Sequence, residues 1–92
     1  MNFGNGMEGA AMDRAVFHSR LIQASTMLRA WPEDFQYWRG YVRGLRRLHF
    51  GASFCTDAEH DLWLAAADSL DRESAELGRG YRDGLAAIAQ TH

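Results

Sequence analysis

Arg39-Gly40-Tyr41-Val42-Arg43-Gly44-Leu45 returns forty residues later as Arg79-Gly80-Tyr81-Arg82-Asp83-Gly84-Leu85, with five of seven positions identical. A period near forty is the length of one helical hairpin, so the repeat predicts two hairpins packed about a pseudo-twofold axis. At about 100° per residue, Gly44 shares a helical face with Tyr37, Tyr41 and Leu48, and Gly84 with the equivalent Leu77, Tyr81 and Ile88. Glycine weakens a helix interior by about 1 kcal/mol, so its return at matched positions needs a reason. Close approach of another backbone supplies one, because a missing Cβ lets two helices come nearer than the usual roughly 8–10 Å. Tyr41 and Tyr81 are then half-buried anchors whose hydroxyls reach polar partners. The competing reading of the same glycines is a groove left open for a ligand or partner.

Outward from the repeat, apolar residues recur at spacings of three and four. Val16, Phe17, Leu21, Ala24, Met27, Leu28 and Trp31 predict a first helix over 12–30, halted by Pro32. Glu33 and Asp34 suit the positive end of a second helix over 33–50, with Phe35, Trp38, Tyr41, Val42, Leu45, Leu48 and His49 on its apolar side and Gly51 at its end. Thr56-Asp57-Ala58-Glu59 reads as a capping box opening a third helix over 57–69, with Leu62, Trp63, Ala66 and Leu70 turned inward. A fourth helix over 72–89 places Leu77, Tyr81, Gly84, Leu85 and Ile88 on one side. No segment alternates with period two, so the expected fold is all-α, a compact bundle of about four helices. Residues 1–11 are expected as a flexible N-terminal arm and 12–92 as a single helical domain.

A chain of 92 residues with 47% apolar composition has room for one core, and its lack of a long apolar run predicts no membrane span. The single Cys55 has no partner for an internal disulfide, which together with the absence of a leader pattern predicts a cytoplasmic setting. Net charge is −2, with +2 over residues 33–50 and −5 over 51–92. That argues against a surface gripping nucleic acid all round.

Two charged stripes are the candidate contact surfaces. Arg39, Arg43, Arg46 and Arg47 fall within about 100° of arc on the second helix, able to meet successive phosphates or a carboxylate-rich partner. The alternative is a solvated face paired with Glu33, Asp34 or acids of a neighbouring helix. Asp57, Asp61 and Asp68 fall within about 60° on the third helix, with carboxylates about 6 and 10 Å apart, and such a row suits a basic channel on another protein. Equally, three exposed aspartates serve solubility.

Chemistry has less to stand on. His49, Cys55, Glu59 and His60 match no structural zinc pattern, and no phosphate loop, zinc finger or helix-turn-helix spacing is present. Cys55 lies just before a helix start, where a thiolate is favoured, with His49 or His60 as its conceivable base, yet no oxyanion donor or orienting acid can be placed. No catalytic residue, metal ligand or cofactor is therefore expected.

The paired RGYxxGL blocks, Arg46-Arg47, His49-Phe50-Gly51 and Glu59-His60 carry a resemblance: residues 35–85 resemble small proteins borne by phages and prophages of high-GC proteobacteria. The resemblance implies an inhibitor of host machinery of the anti-CRISPR type, acting in the bacterial cytoplasm on a host protein or complex. The expectation is thus a non-enzymatic protein-binding protein, with an arginine-helix nucleic-acid-binding regulator as the alternative and a homodimer compatible with either.

Overall fold

A computed structural model describes residues 13–88. The expected N-terminal arm lies outside the described residues. Among those residues every regular element is helical: α1 Arg14–Ala30, α2 Phe35–Phe50, α3 Asp57–Ala65 and α4 Arg72–Leu85, with 3-10 turns at Pro32–Asp34, Gly51–Ser53 and Ala66–Asp68. The protein is an all-α bundle.

Each start has a local cause. The Asp13 carboxylate accepts from the Ala15 N–H at 2.7 Å, and the Asp71 carboxylate accepts from Ser74 N–H at 3.0 Å. At α3 the Thr56 hydroxyl takes the Glu59 N–H at 3.1 Å while the Glu59 carboxylate takes the Thr56 N–H at 2.9 Å, the reciprocal box the sequence predicts. Pro32 opens a single 3-10 turn ahead of α2 instead of the first turn of the helix itself.

α2 and α4 form the most extensive helix pair, while α1 packs on α2 and α3 on α4. Their seam is built of the four repeat glycines. A Cβ placed on Gly40 would strike the Leu77 carbonyl and one on Gly80 the Tyr37 carbonyl; from Gly44 it would strike the Tyr81 carbonyl and from Gly84 the Tyr41 carbonyl. Every contact has its mate forty residues on, which is the pseudo-twofold relation read from the heptapeptides. Because Gly40 faces Leu77 to Tyr81 and Gly44 faces Tyr81 to Leu85, the two helices run in parallel. The Gly-x-x-x-Gly spacing of both helices brings the two backbones into contact, the same device that small residues serve between helices in membranes. Here it works inside one chain: no helix among the described residues is long and apolar enough to cross a membrane.

On the α1 side of that seam Phe17, Ala24, Tyr37, Trp38, Tyr41 and Leu45 form the core, flanked by Leu21, Met27, Leu28 and Val42. Each fully buried aromatic takes roughly 150–250 Å² out of water, which makes Trp38, Tyr41 and Tyr81 the main sources of stability.

Several inward assignments are corrected. Val16, Phe35, Leu62, Leu70 and Ile88 are exposed, Leu62 at 68% and Leu70 at 104%. Of the predicted α3 face Trp63 does meet Tyr81, but the helix is turned so that His60 joins it there while Leu62 is exposed. The third helix also stops short at Ala65, where the 3-10 turn carries Ala66 and Ala67 against Gly78 and Ser69 is extended, with ψ 147. Trp38 fills the position pseudo-equivalent to Gly78, so the two hairpins diverge here. The fourth helix ends at Leu85 instead of 89.

Candidate functional site

Helical spacing puts the four arginines of α2 on one side, but the tertiary structure divides them. Arg47, its side chain 15% exposed, turns into the α2–α3 connection. Its Nη1 donates to the Cys55 carbonyl at 2.9 Å, the Thr56 carbonyl at 3.2 Å and the Cys55 Sγ at 3.3 Å, while Nη2 donates to Asp57 Oδ1 at 2.8 Å. The hydrogen bond to Asp57 raises the already high Arg47 pKa, and that same bond holds the Asp57 carboxyl below its ordinary value. One member of each charged stripe is therefore spent on the other. Among the described residues, the pairing with an acid of a neighbouring helix forms at Arg47 and not at Arg39, Arg43 or Arg46.

Arg39, Arg43 and Arg46 stay together. With Leu28 of α1 and Val42, both half-buried, they line a groove of about 330 Å³ in which Arg39 and Arg46 are exposed and Arg43 is half-buried. The Arg39 guanidinium lies 5.4 Å from the Phe35 ring centre and donates to Gln36 Oε1 at 3.3 Å; that of Arg43 lies 4.8 Å from the Trp63 ring centre. Stacking of this kind orders a long side chain while leaving its charge unneutralised. Partial burial and the neighbouring Arg39 pull the Arg43 pKa down. An anion placed in the groove relieves that strain, since like charges one helical turn apart repel.

The acidic stripe does not persist as a straight row. Asp57 is engaged by Arg47 although its side chain is 85% exposed, Asp61 is exposed on α3, and Asp68 sits on the 3-10 turn beyond the helix. An i, i+4, i+11 alignment needs continuous α-helix through residue 68, and the turn packed on Gly78 interrupts it.

Of the candidate bases, His49 is stacked on Phe17 with ring centres 4.2 Å apart. His60 Nδ1 is 2.6 Å from the Tyr81 hydroxyl. Burial, then the adjacent Cys55 thiol, pushes the Tyr81 hydroxyl well above its ordinary range. Cys55 itself is buried, its sulfur accepting from Arg47. The arrangement ties α2, α3 and α4 together, each polar group answering another. Reading by residue type missed this tie, as it did the bond from the Tyr37 hydroxyl to Asp83 at 2.5 Å. The offset of forty was the available signal: it matches His60 to Arg20 and Tyr81 to Tyr41, and the Arg20 charge indeed acts on the Tyr41 hydroxyl, opposing the rise that burial causes.

A second groove of about 410 Å³ opens where the N-terminal ends of α2 and α4 lie together, lined by Pro32, Glu33, Phe35, Gln36, Arg72, Glu73 and Glu76. Arg72 Nε and Glu76, one turn apart on α4, approach to 3.6 Å on its α4 side. Among the described residues no group of three His, Cys, Asp or Glu side chains is placed to hold a metal ion. No family model, curated protein or solved structure matches the chain.

Proposed function

We propose that the protein acts by binding, with no catalytic step of its own, and that its contact surface is the groove that Arg39, Arg43 and Arg46 share with Leu28 and Val42. The partner is a protein presenting carboxylates around an apolar side chain. In line with the resemblance to phage-borne inhibitors, that partner is a component of a bacterial host assembly, whose acidic surface the protein covers in the cytoplasm.

One observation carries this reading: three arginines share a groove with the half-buried Leu28 and Val42, and none of the three has a carboxylate within ion-pair distance among the described residues. A protein fits this surface better than nucleic acid does. The Arg47 clamp removes a phosphate contact from the row, the chain is net acidic, and Leu28 and Val42 offer nothing to a phosphate backbone. Arginine beside aromatic residues, here Phe35 at 49% exposure, is the composition of protein–protein anchor points.

The test is titration with a labelled peptide alternating Asp or Glu with Leu, at low and high salt, beside a DNA duplex of equal charge. Binding of the peptide that weakens with salt and disappears in Arg43→Glu/Arg46→Glu supports the reading. Retention of the duplex and not the peptide replaces it with the nucleic-acid regulator.

A further inference from the structure

We propose that, until a tighter acidic partner arrives, the arginine groove is filled by α3 of a second copy of this chain, in a twofold dimer where each copy inserts Leu62 between Leu28 and Val42 of its mate. This inference rests on the groove being the contact surface and names the partner that holds it closed.

The outward face of α3 has the chemistry the groove asks for. Leu62 is 68% exposed, an unusual position for a leucine on a nine-residue helix, and Ala58 and Ala65 extend the apolar strip on either side of it. Asp57 and Asp61 border that strip, both exposed, and among the described residues the bond from Arg47 goes to Oδ1 of Asp57, which leaves Oδ2 to meet a second cation. Leucine flanked by carboxylates opposes two apolar side chains flanked by guanidiniums. The charge division of the chain, +2 over 33–50 and −5 over 51–92, has the same sense.

Symmetry supplies the rest. A head-to-tail contact between distant patches propagates into filaments, whereas two complementary patches side by side close about one twofold axis, each used once per copy. On one copy the groove adjoins α3: Arg43, which lines the groove, stacks on Trp63, and Arg47 one turn further along α2 holds Asp57 at the edge of the outward strip. One axis beside that contact buries the groove and the α3 face of both copies at once. An external acidic protein then competes with self-association, so the groove is available only at low concentration or to a partner that out-binds α3.

Sedimentation equilibrium of the full chain over a range of concentrations, at low and high salt, reads the inference directly. The expected result is a monomer–dimer equilibrium weakened by salt, with Arg46→Glu and Asp61→Arg each raising the dissociation constant at least about tenfold. Mixing the two variants restores a dimer, since the glutamate introduced on one copy then faces the arginine introduced on the other, while the second contact stays wild type. A chain that stays monomeric throughout, or a mixture that fails to recover while both variants keep their helical circular dichroism, overturns it. The acidic peptide separates this outcome from failure of the binding function: monomeric wild type that still binds peptide loses only the dimer, and a salt-sensitive dimer whose Asp61→Arg variant binds no peptide loses only the external partner.

Discussion

Gly44 and Gly84 touch across the α2–α4 seam: a Cβ on Gly44 would lie 2.8 Å from the Gly84 Cα, and one on Gly84 would lie 2.9 Å from the Gly44 Cα. The obstruction on both sides is backbone, which cannot step aside as a side chain can. Elsewhere in a helix, alanine in place of glycine adds about 1 kcal/mol of stability.

At this seam the sign reverses. Gly44→Ala is expected to cost about 3 kcal/mol or more, because the two helices must separate and loosen the packing around Tyr41 and Tyr81. For a domain of this length that lowers the melting temperature by at least about 12 °C, and Gly84→Ala does the same. The double variant costs less than the sum, since one separation accommodates both methyls. A melting temperature that rises in either single variant contradicts the close seam.

The end of α4 carries the opposite opportunity. The Ile88 N–H donates to the Asp83 carbonyl and the Ala87 N–H to the Gly84 carbonyl, both at 3.0 Å, a Schellman closure whose left-handed residue is Ala87 at φ 57. Glycine usually stands there. Ala87→Gly is therefore expected to stabilise by about 1 kcal/mol, read as a rise in the chemical denaturation midpoint without change of slope.

Tyr41 and Tyr81 occupy matched positions but differ in what their hydroxyls meet. The Tyr81 hydroxyl is paired with His60, whereas the Tyr41 hydroxyl, near Arg20, closes no hydrogen bond of sound geometry. Tyr81→Phe is expected to cost about 1–2 kcal/mol more than Tyr41→Phe, and equal effects would argue against the His60 bond.

Burial raises both tyrosines above their ordinary 10.0. Above that pH the unfolded chain releases phenolic protons that the folded chain retains, so stability falls as pH climbs past about 10. Tyr81→Phe should make this alkaline decline shallower in urea denaturation, and an unchanged slope would remove Tyr81 from the account.

Acid acts through the opposite sign. Asp57, Glu59 and Asp71 all titrate below their ordinary values of 3.8, 4.5 and 3.8 when folded, through Arg47 and through the Thr56 and Ser74 caps. The unfolded chain binds their protons first, so their stabilisation is full above the ordinary values and is lost as pH falls through the folded ones. Comparing wild type with Arg47→Met isolates the share of Asp57. The difference in denaturation midpoint is expected to be largest at neutral pH and to narrow as pH falls below the ordinary 3.8 of Asp57, and a constant gap would show that the carbonyl contacts of Arg47 account for the whole effect.

How much of this was legible in advance follows from the range of each interaction. Capping at Thr56 and Glu59 is settled within four residues, and the glycine seam was readable because the heptapeptide occurs twice, so that one local pattern specified both sides of a long-range contact. Residue order alone thus determined four helices, the capping box of α3 and the glycine faces where backbones approach. Tertiary structure decided what no local pattern contains. It turned α3 so that His60, not Leu62, joins Trp63 against Tyr81, it drew Arg47 out of the basic row to Asp57 and the Cys55 carbonyl, and it broke the aspartate row at Ala65 where Gly78 admits a second backbone. Periodicity fixes which residues share a side of a helix; which side is buried, and which charge is left over, depends on partners that only folding brings within reach.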